Sequence, residues 1–234
     1  MTKKTILNLA SLKDQVYEYL RSQMRVGELM PGDVIDMNVT SQKLGVSKTP
    51  LRDALIRLEM EGFVNIMARK GVVVNVLTVE DIREIYQILG ALESTAIIAA
   101  SGTISKREVD KLKKLNEGMR KAIEKDNFSD YYKKNLKFHD VFLKLSGNNM
   151  LRKTADVLKK RLYDFPRRGG YVKQWEQSSI QEHQQLVEFI SAKKYLEAAN
   201  FVRDVHWSFN VQERFIKLYY FDTPFPNFTH KLPR

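Results

Sequence analysis

The chain has 234 residues, 43% of them hydrophobic, no cysteine, and 39 lysines and arginines against 28 aspartates and glutamates, a formal net charge of +11. This composition excludes a disulfide framework, thiolate metal sites and a cysteine nucleophile, and it is too apolar for a globally disordered chain. No apolar run approaches the roughly 18 residues of a membrane span and the N-terminus has no apolar leader core, so a soluble cytoplasmic protein is expected. The positive excess suggests a polyanionic partner, but it is unevenly spread. Residues 1–77 hold 11 basic and 8 acidic side chains, and residues 78–234 hold 28 and 20. Most of the excess lies in the second part, where a solvated basic surface accounts for it, so charge alone does not mark a DNA-binding segment.

The length favours two modest domains. Ser11 and Asp14 stand as an N-cap and N3 pair, and Leu12, Val16, Leu20 and Met24 repeat at helical spacing, so a first helix with those four on its buried stripe starts at Ser11. Gly27 ends it and Pro31-Gly32 makes a turn. Beyond residue 39, a short helix runs to Leu44 and stops at Gly45. Ser47 is placed to cap the next helix, and Pro50 falls in that helix's first turn, where a missing N–H costs little. Leu51, Leu55 and Leu58 form its inner stripe. Lys48, Thr49 and Arg52 lie on the opposite, exposed side of its N-terminal end. Two short helices about a glycine turn, the second opening on polar and basic residues, make a helix-turn-helix. Hydroxyls and a helix N-terminus suit phosphate, and an arginine can donate two hydrogen bonds to one guanine edge. Val64-Asn65-Ile66 and Val72 to Val76 bracket Ala68-Arg69-Lys70-Gly71, which reads as a hairpin with a basic tip, a wing. An ordinary small α/β domain with an exposed basic turn fits the same pattern.

The stretches PGDVID, LGVSKTPLRDALIRLEMEGFV and RKGVVV resemble the DNA-binding domain of the GntR family over most of residues 12–76. The resemblance implies that Ser47, Lys48, Thr49 and Arg52 contact DNA, with Arg52 the base reader, and that Arg69, Lys70 and Gly71 belong to the wing. Lys48 stands where the family more often has arginine, whose planar bidentate fork a lysine lacks.

From residue 78 the periodicity is helical throughout. Thr78 with Asp81, and Ser105 with Glu108, are N-cap pairs. Helices are expected at about 79–100, 105–125, 129–146, 150–165, 178–191 and 194–220, with breaks near Gly102, Asp126-Asn127, Gly147 to Asn149 and Pro166 to Gly170. The fold class is therefore mainly α: a winged helix-turn-helix with a small β-hairpin wing at 1–77, then an all-helical bundle of about six to seven helices at 78–221. Three prolines mark 222–234 as a tail.

Four histidines are present in the chain. His139 shares a helix with Leu136 and Leu143, with Asn135 one turn earlier. His183 falls in step with Leu186, Val187 and Ile190, and His206 with Ala199, Val202 and Phe209; His230 is in the tail. Each alone reads as a core histidine with a hydrogen bond. Three on three helices, all facing a bundle interior, also make a set of neutral imidazoles able to hold a divalent ion and leave positions for water or a ligand. Glu182 and Asp140 adjoin two of them, but neighbouring residues on a helix face different ways, so neither is expected to serve the cluster as a general base.

NLKFHDVFLKLSGNNML, QEHQQLVEFI and VRDVHWSF, within residues 82–210, resemble the C-terminal domain of the FadR subfamily. The resemblance implies an effector-binding and dimerisation domain with a divalent metal (zinc, nickel or manganese) on Asn135, His139, His183 and His206. Asparagine brings no charge to such a site. In the stretch from Ile85 to Glu93, Leu89 takes the place of the family's arginine, which argues against a carboxylate effector held in the usual way. Tyr86 and Arg161 are the candidate effector contacts, Arg161 being equally readable as a surface charge. The whole reading is a sequence-specific DNA-binding transcription regulator, a repressor and not an enzyme. It would act as a homodimer on a pseudo-palindromic operator and respond to a small-molecule effector, a metal-chelating metabolite among the candidates. A purely structural metal site and a metal-dependent hydrolase with a DNA-binding head are the alternatives.

Overall fold

The computed structural model describes residues 11–68, 71–165 and 172–222. They divide into two units: one takes in residues up to Leu77 together with 160–165, the other 78–159 and those from 172 on.

In the first unit α1 (Leu12–Arg25) starts at Ser11, whose side chain accepts from the Asp14 N–H. Val16, Tyr17, Leu20 and Met24 are buried. Leu12 departs from the expected stripe: at the helix's first position it is 49% exposed. Helix α2 (Met37–Leu44) is capped by Asp36 and ended by Gly45 at φ 63°, a left-handed turn glycine adopts at little cost. Helix α3 (Lys48–Met60) follows, with Leu51, Ala54, Leu55 and Leu58 in the core. The expected hairpin is present as β2 (Val64–Met67) and β3 (Gly71–Val74), and a two-residue strand β1 (Val34–Ile35) joins it in the antiparallel order β1-β3-β2. Val34 pairs with Val73 and Ile66 with Val72. So short a strand has no periodicity to read; it exists because β3 offers it an edge.

The core of this unit is completed from far along the chain. Phe165 stacks on Phe63 at 6.1 Å, and Asp164 pairs with the buried Arg21 of α1.

The second unit is built on α4 (Val79–Ala100), α5 (Lys106–Glu124), α6 (Phe128–Leu145), α7 (Asn149–Asp164, whose last turn belongs to the first unit), α8 (Lys173–Ser191), α9 (Tyr195–Phe201) and α10 (Phe209–Lys217). Capping boxes at Thr78/Asp81 and Ser105/Glu108 start α4 and α5. Two boundaries differ from expectation. Helix α8 begins at Lys173 rather than 178, because tertiary contacts hold its polar first turns: Trp175 stacks on Phe215, and Tyr132 donates to Glu176. The helix expected over 194–220 is not continuous. After α9 the chain makes a π-helical turn, Val202–His206, in which the Trp207 N–H donates to the Val202 carbonyl at 2.9 Å; it then breaks at Ser208, and a second π-helical turn, Leu218–Asp222, follows α10. The wide turn accommodates an extra residue without glycine or proline, so nothing in the local sequence announces it. Among the described residues no helix is long and apolar enough to cross a membrane. The tail from residue 223 lies outside the described residues.

Candidate functional site

The first candidate surface is the start of α3. Ser47, Lys48, Thr49 and Arg52 are all exposed there, on the side away from Leu51, Leu55 and Leu58. Ser47 holds the N-cap position, yet its side chain makes no capping bond, contrary to the expected cap. An exposed hydroxyl at a helix N-terminus is suited to a phosphate. Helix α3 is set by a polar clamp on α1. The Tyr17 hydroxyl donates to Glu61, the Arg57 guanidinium lies 3.7 Å over the Tyr17 ring, and Arg57 Nε is 3.1 Å from Glu61. Gly71 opens β3 at φ 89°, where a Cβ would stand 3.4 Å from Val34 Cγ1. Arg69 and Lys70 lie outside the described residues.

The second candidate site is the histidine cluster. His139 of α6, His183 of α8 and His206 of the π-helical turn form a nearly equilateral triangle, with ring centroids 5.1, 5.0 and 5.0 Å apart. One ligand atom from each lies within 4.8 Å of the others, and the two Nε2 atoms of His139 and His183 are 3.2 Å apart. Two nitrogens sharing a tetrahedral ion at about 2.0–2.1 Å would stand about 3.3 Å from each other, so the spacing fits a shared divalent cation. His139 and His183 are fully buried, and the His206 side chain is 9% exposed.

Carboxylates orient two of the three rings. His139 Nδ1 is 2.7 Å from Glu93 Oε2, and His206 Nδ1 is 2.7 Å from Glu182 Oε2. With Nδ1 committed, each of these rings has Nε2 left as its ligand atom, the arrangement that raises ligand basicity at metal sites. His183 has no such partner; its Nδ1 is buried without a hydrogen bond. Burial pulls the His139 imidazole down to about 4, and it holds His183 well below the ordinary value, helped by the neighbouring imidazoles. Both rings are thus neutral at neutral pH, as metal ligands must be. Burial opposes the charge on Glu93, yet His139 and Lys159 outweigh it and hold the carboxyl below its usual range. With His139 neutral, Lys159 supplies the positive charge: its Nζ is 2.9 Å from Glu93 Oε1, and both groups are buried. Trp207 Nε1 donates to Glu93 Oε2 at 2.7 Å.

Asn135 is buried on α6, four residues before His139. Tyr86 is buried edge-on to Trp207, with centroids 5.2 Å apart. Leu89 is fully buried, so this position is apolar in the second unit's core. Arg161 belongs to the first unit, where its guanidinium abuts Gly62. Its placement reflects the return of 160–165 to that unit. Glu182, adjacent to His183 on α8, reaches His206, because His206 approaches from a different element. Glu93, Lys159, Trp207 and Gln212 went unnoticed in the sequence. For Glu93 a signal exists: it falls in step with Ile82, Ile85, Leu89, Ala96 and Ala100 on the apolar stripe of α4.

A family model described as bacterial regulatory proteins, gntR family, matches residues 12–74, and one described as the FCD domain matches residues 84–205. The uncharacterized HTH-type transcriptional regulator YdhC of Bacillus subtilis is 29% identical over 79% of this chain and 83% of its own length. The HTH-type transcriptional repressor RspR of Escherichia coli is 26% identical over 68% and 70%. The Nta operon transcriptional regulator of Aminobacter aminovorans is 29% identical over 74% and 80%. Among solved structures, E. coli McbR/YncC superposes with a TM-score of 0.69 at 22% identity, over 90% of this chain and 97% of that one. A GntR regulator from Rhodococcus sp. RHA1 gives 0.67 at 16% identity, over 89% and 98%.

Proposed function

Since this chain belongs to the GntR family, with an FCD domain as its larger part, we propose that it is a metal-dependent, effector-responsive repressor. That it is a DNA-binding transcription regulator and not an enzyme follows from the family. The finer reading is that a homodimer sets two α3 helices into successive major grooves of a pseudo-palindromic operator. Ser47, Lys48 and Thr49 anchor phosphates, and Arg52 reads a base edge, with Gly71 and the neighbouring Arg69 and Lys70 as wing contacts. The E. coli relative, named a repressor, supports the sign.

The observation that carries the sensor reading is the triangle of imidazoles, two of them oriented by carboxylates, the buried Glu93 and the half-buried Glu182. His139, His183 and His206, with Asn135 beside them, would hold one divalent ion, which when bound supplies a Lewis-acidic position for an oxygen or nitrogen donor of the effector. The protein's own part is to keep His139 and His183 buried and neutral and to aim His139 and His206 by their carboxylate partners. Leu89 and Tyr86 would form an apolar and aromatic wall, so the effector would be fastened by chelation rather than by an arginine. A site that binds metal and no effector is the second reading; it would leave operator affinity insensitive to every small molecule.

The test is operator binding, with the operator selected from random duplexes. The selected site should be a pseudo-palindrome. Arg52→Ala should cost about 1–3 kcal/mol at one base position in each half-site. A chelating effector should shift operator affinity by about 5–150-fold. Unchanged affinity and specificity in Arg52→Ala removes Arg52 as base reader. If no chelating metabolite changes binding while metal removal unfolds the protein, the metal is structural.

A further inference from the structure

We propose that Trp175 and Gln212 are positioning residues for His206, holding its Nε2 toward the other two imidazoles; as a statement about metal binding, this rests on reading the cluster as a metal site. Gln212 of α10 is buried, and its amide lies between Trp175 and Glu182, which stand seven residues apart on α8. Trp175 Nε1 donates to Gln212 Oε1 at 2.8 Å, and Gln212 Nε2 donates to Glu182 Oε1 at 2.9 Å. The other oxygen, Glu182 Oε2, accepts from His206 Nδ1 at 2.7 Å.

The direction of every bond in this series is forced. An indole N–H can only donate and an ionised carboxylate can only accept. The amide of Gln212 therefore has one acceptable orientation, oxygen toward Trp175 and nitrogen toward Glu182. A flip would set its oxygen against a carboxylate and its nitrogen against an N–H. With one oxygen held by the amide, Glu182 presents the other to His206 and accepts a hydrogen bond from its Nδ1–H. When the ring is neutral its lone pair is then on Nε2. The Trp175 ring that starts the series is itself fixed, stacked on Phe215 at 6.0 Å and edge-on to Tyr219 at 5.4 Å. Of the three ligand rings, His206 sits on the irregular π-helical turn, and it is steered by a side-chain series rather than by a regular helix.

The experiment compares full-length wild type with Trp175→Phe and Gln212→Leu, with circular dichroism as the check on folding. Histidine tautomers are read by nitrogen-15 NMR of metal-free protein at mildly alkaline pH, and zinc affinity is measured by competition with a chromophoric chelator. Wild type should show His206 as the Nδ1–H tautomer. Gln212→Leu should mix the two tautomers and weaken zinc binding by about 10–100-fold. Trp175→Phe, which keeps the aromatic packing and loses only the donor, should move both readouts the same way by a smaller factor. An unchanged His206 tautomer in both folded variants, with unchanged zinc affinity, overturns the proposal. A wild type that takes up no zinc removes the metal reading, and the tautomer arm alone then decides whether Trp175 and Gln212 set the ring.

Discussion

A carboxylate with no exposure to water, such as Glu93, survives in a core only if its charge and lone pairs are used, and here Lys159, His139 and Trp207 use them. Glu93→Ala should therefore cost about 3–5 kcal/mol in chemical denaturation, because it strands a buried ammonium. The double variant Glu93→Leu/Lys159→Met should regain much of that loss while zinc affinity stays lowered about 10–100-fold, the ring of His139 having lost its orienting partner. A double variant as unstable as the single one would contradict this account of the pair. Gly90 is constrained by space: a Cβ there would lie 3.3 Å from the Arg203 backbone and from Trp207 Cβ, at the turn carrying His206. Gly90→Val should lower stability by about 1–3 kcal/mol through overpacking, read as a fall in melting temperature. At this scale the three histidines were legible because each is a polar residue on an apolar stripe. Glu93 carries the same signature on α4, and Lys159 lies on the buried face of α7 with Leu151, Ala155 and Leu162. Which carboxylate would meet which cation was not legible, since that depends on packing between elements.

Among the elements, α3 combines a buried leucine face with an exposed N-terminal end, and α1 holds it by the Tyr17, Arg57 and Glu61 clamp. Tyr17→Phe removes the hydroxyl from a nearly buried carboxylate and should cost about 1.5–3 kcal/mol, seen in the unfolding of the N-terminal unit. Ser47 gives a sharper test, since its side chain does no capping in the free protein. Ser47→Ala should leave stability within about 0.5 kcal/mol while weakening operator binding. A large loss of stability would mean that the hydroxyl caps α3 after all. Helices with caps, such as α4 and α5, were readable to within a residue or two. The π-helical turn at Val202–His206 was not, because no breaker residue lies within it. Strand β1 was missed for a related reason: two residues acquire strand geometry only from a partner.

For the whole molecule, the GntR and FCD segments were recognisable from long motifs, whereas the return of residues 160–165 to the first unit was not, since Asp164 and Phe165 find Arg21 and Phe63 only in the folded state. That return places Arg161 with the first unit, and the imidazole triangle is the feature on which regulation would turn. The most direct test is the metal content of purified protein, by mass spectrometry, for wild type and His139→Ala/His183→Ala. The account predicts about one divalent ion per wild-type chain and none in the double variant. No ion in wild type, even after addition of zinc, nickel or manganese, would contradict it and make the three histidines core or direct ligand-binding residues.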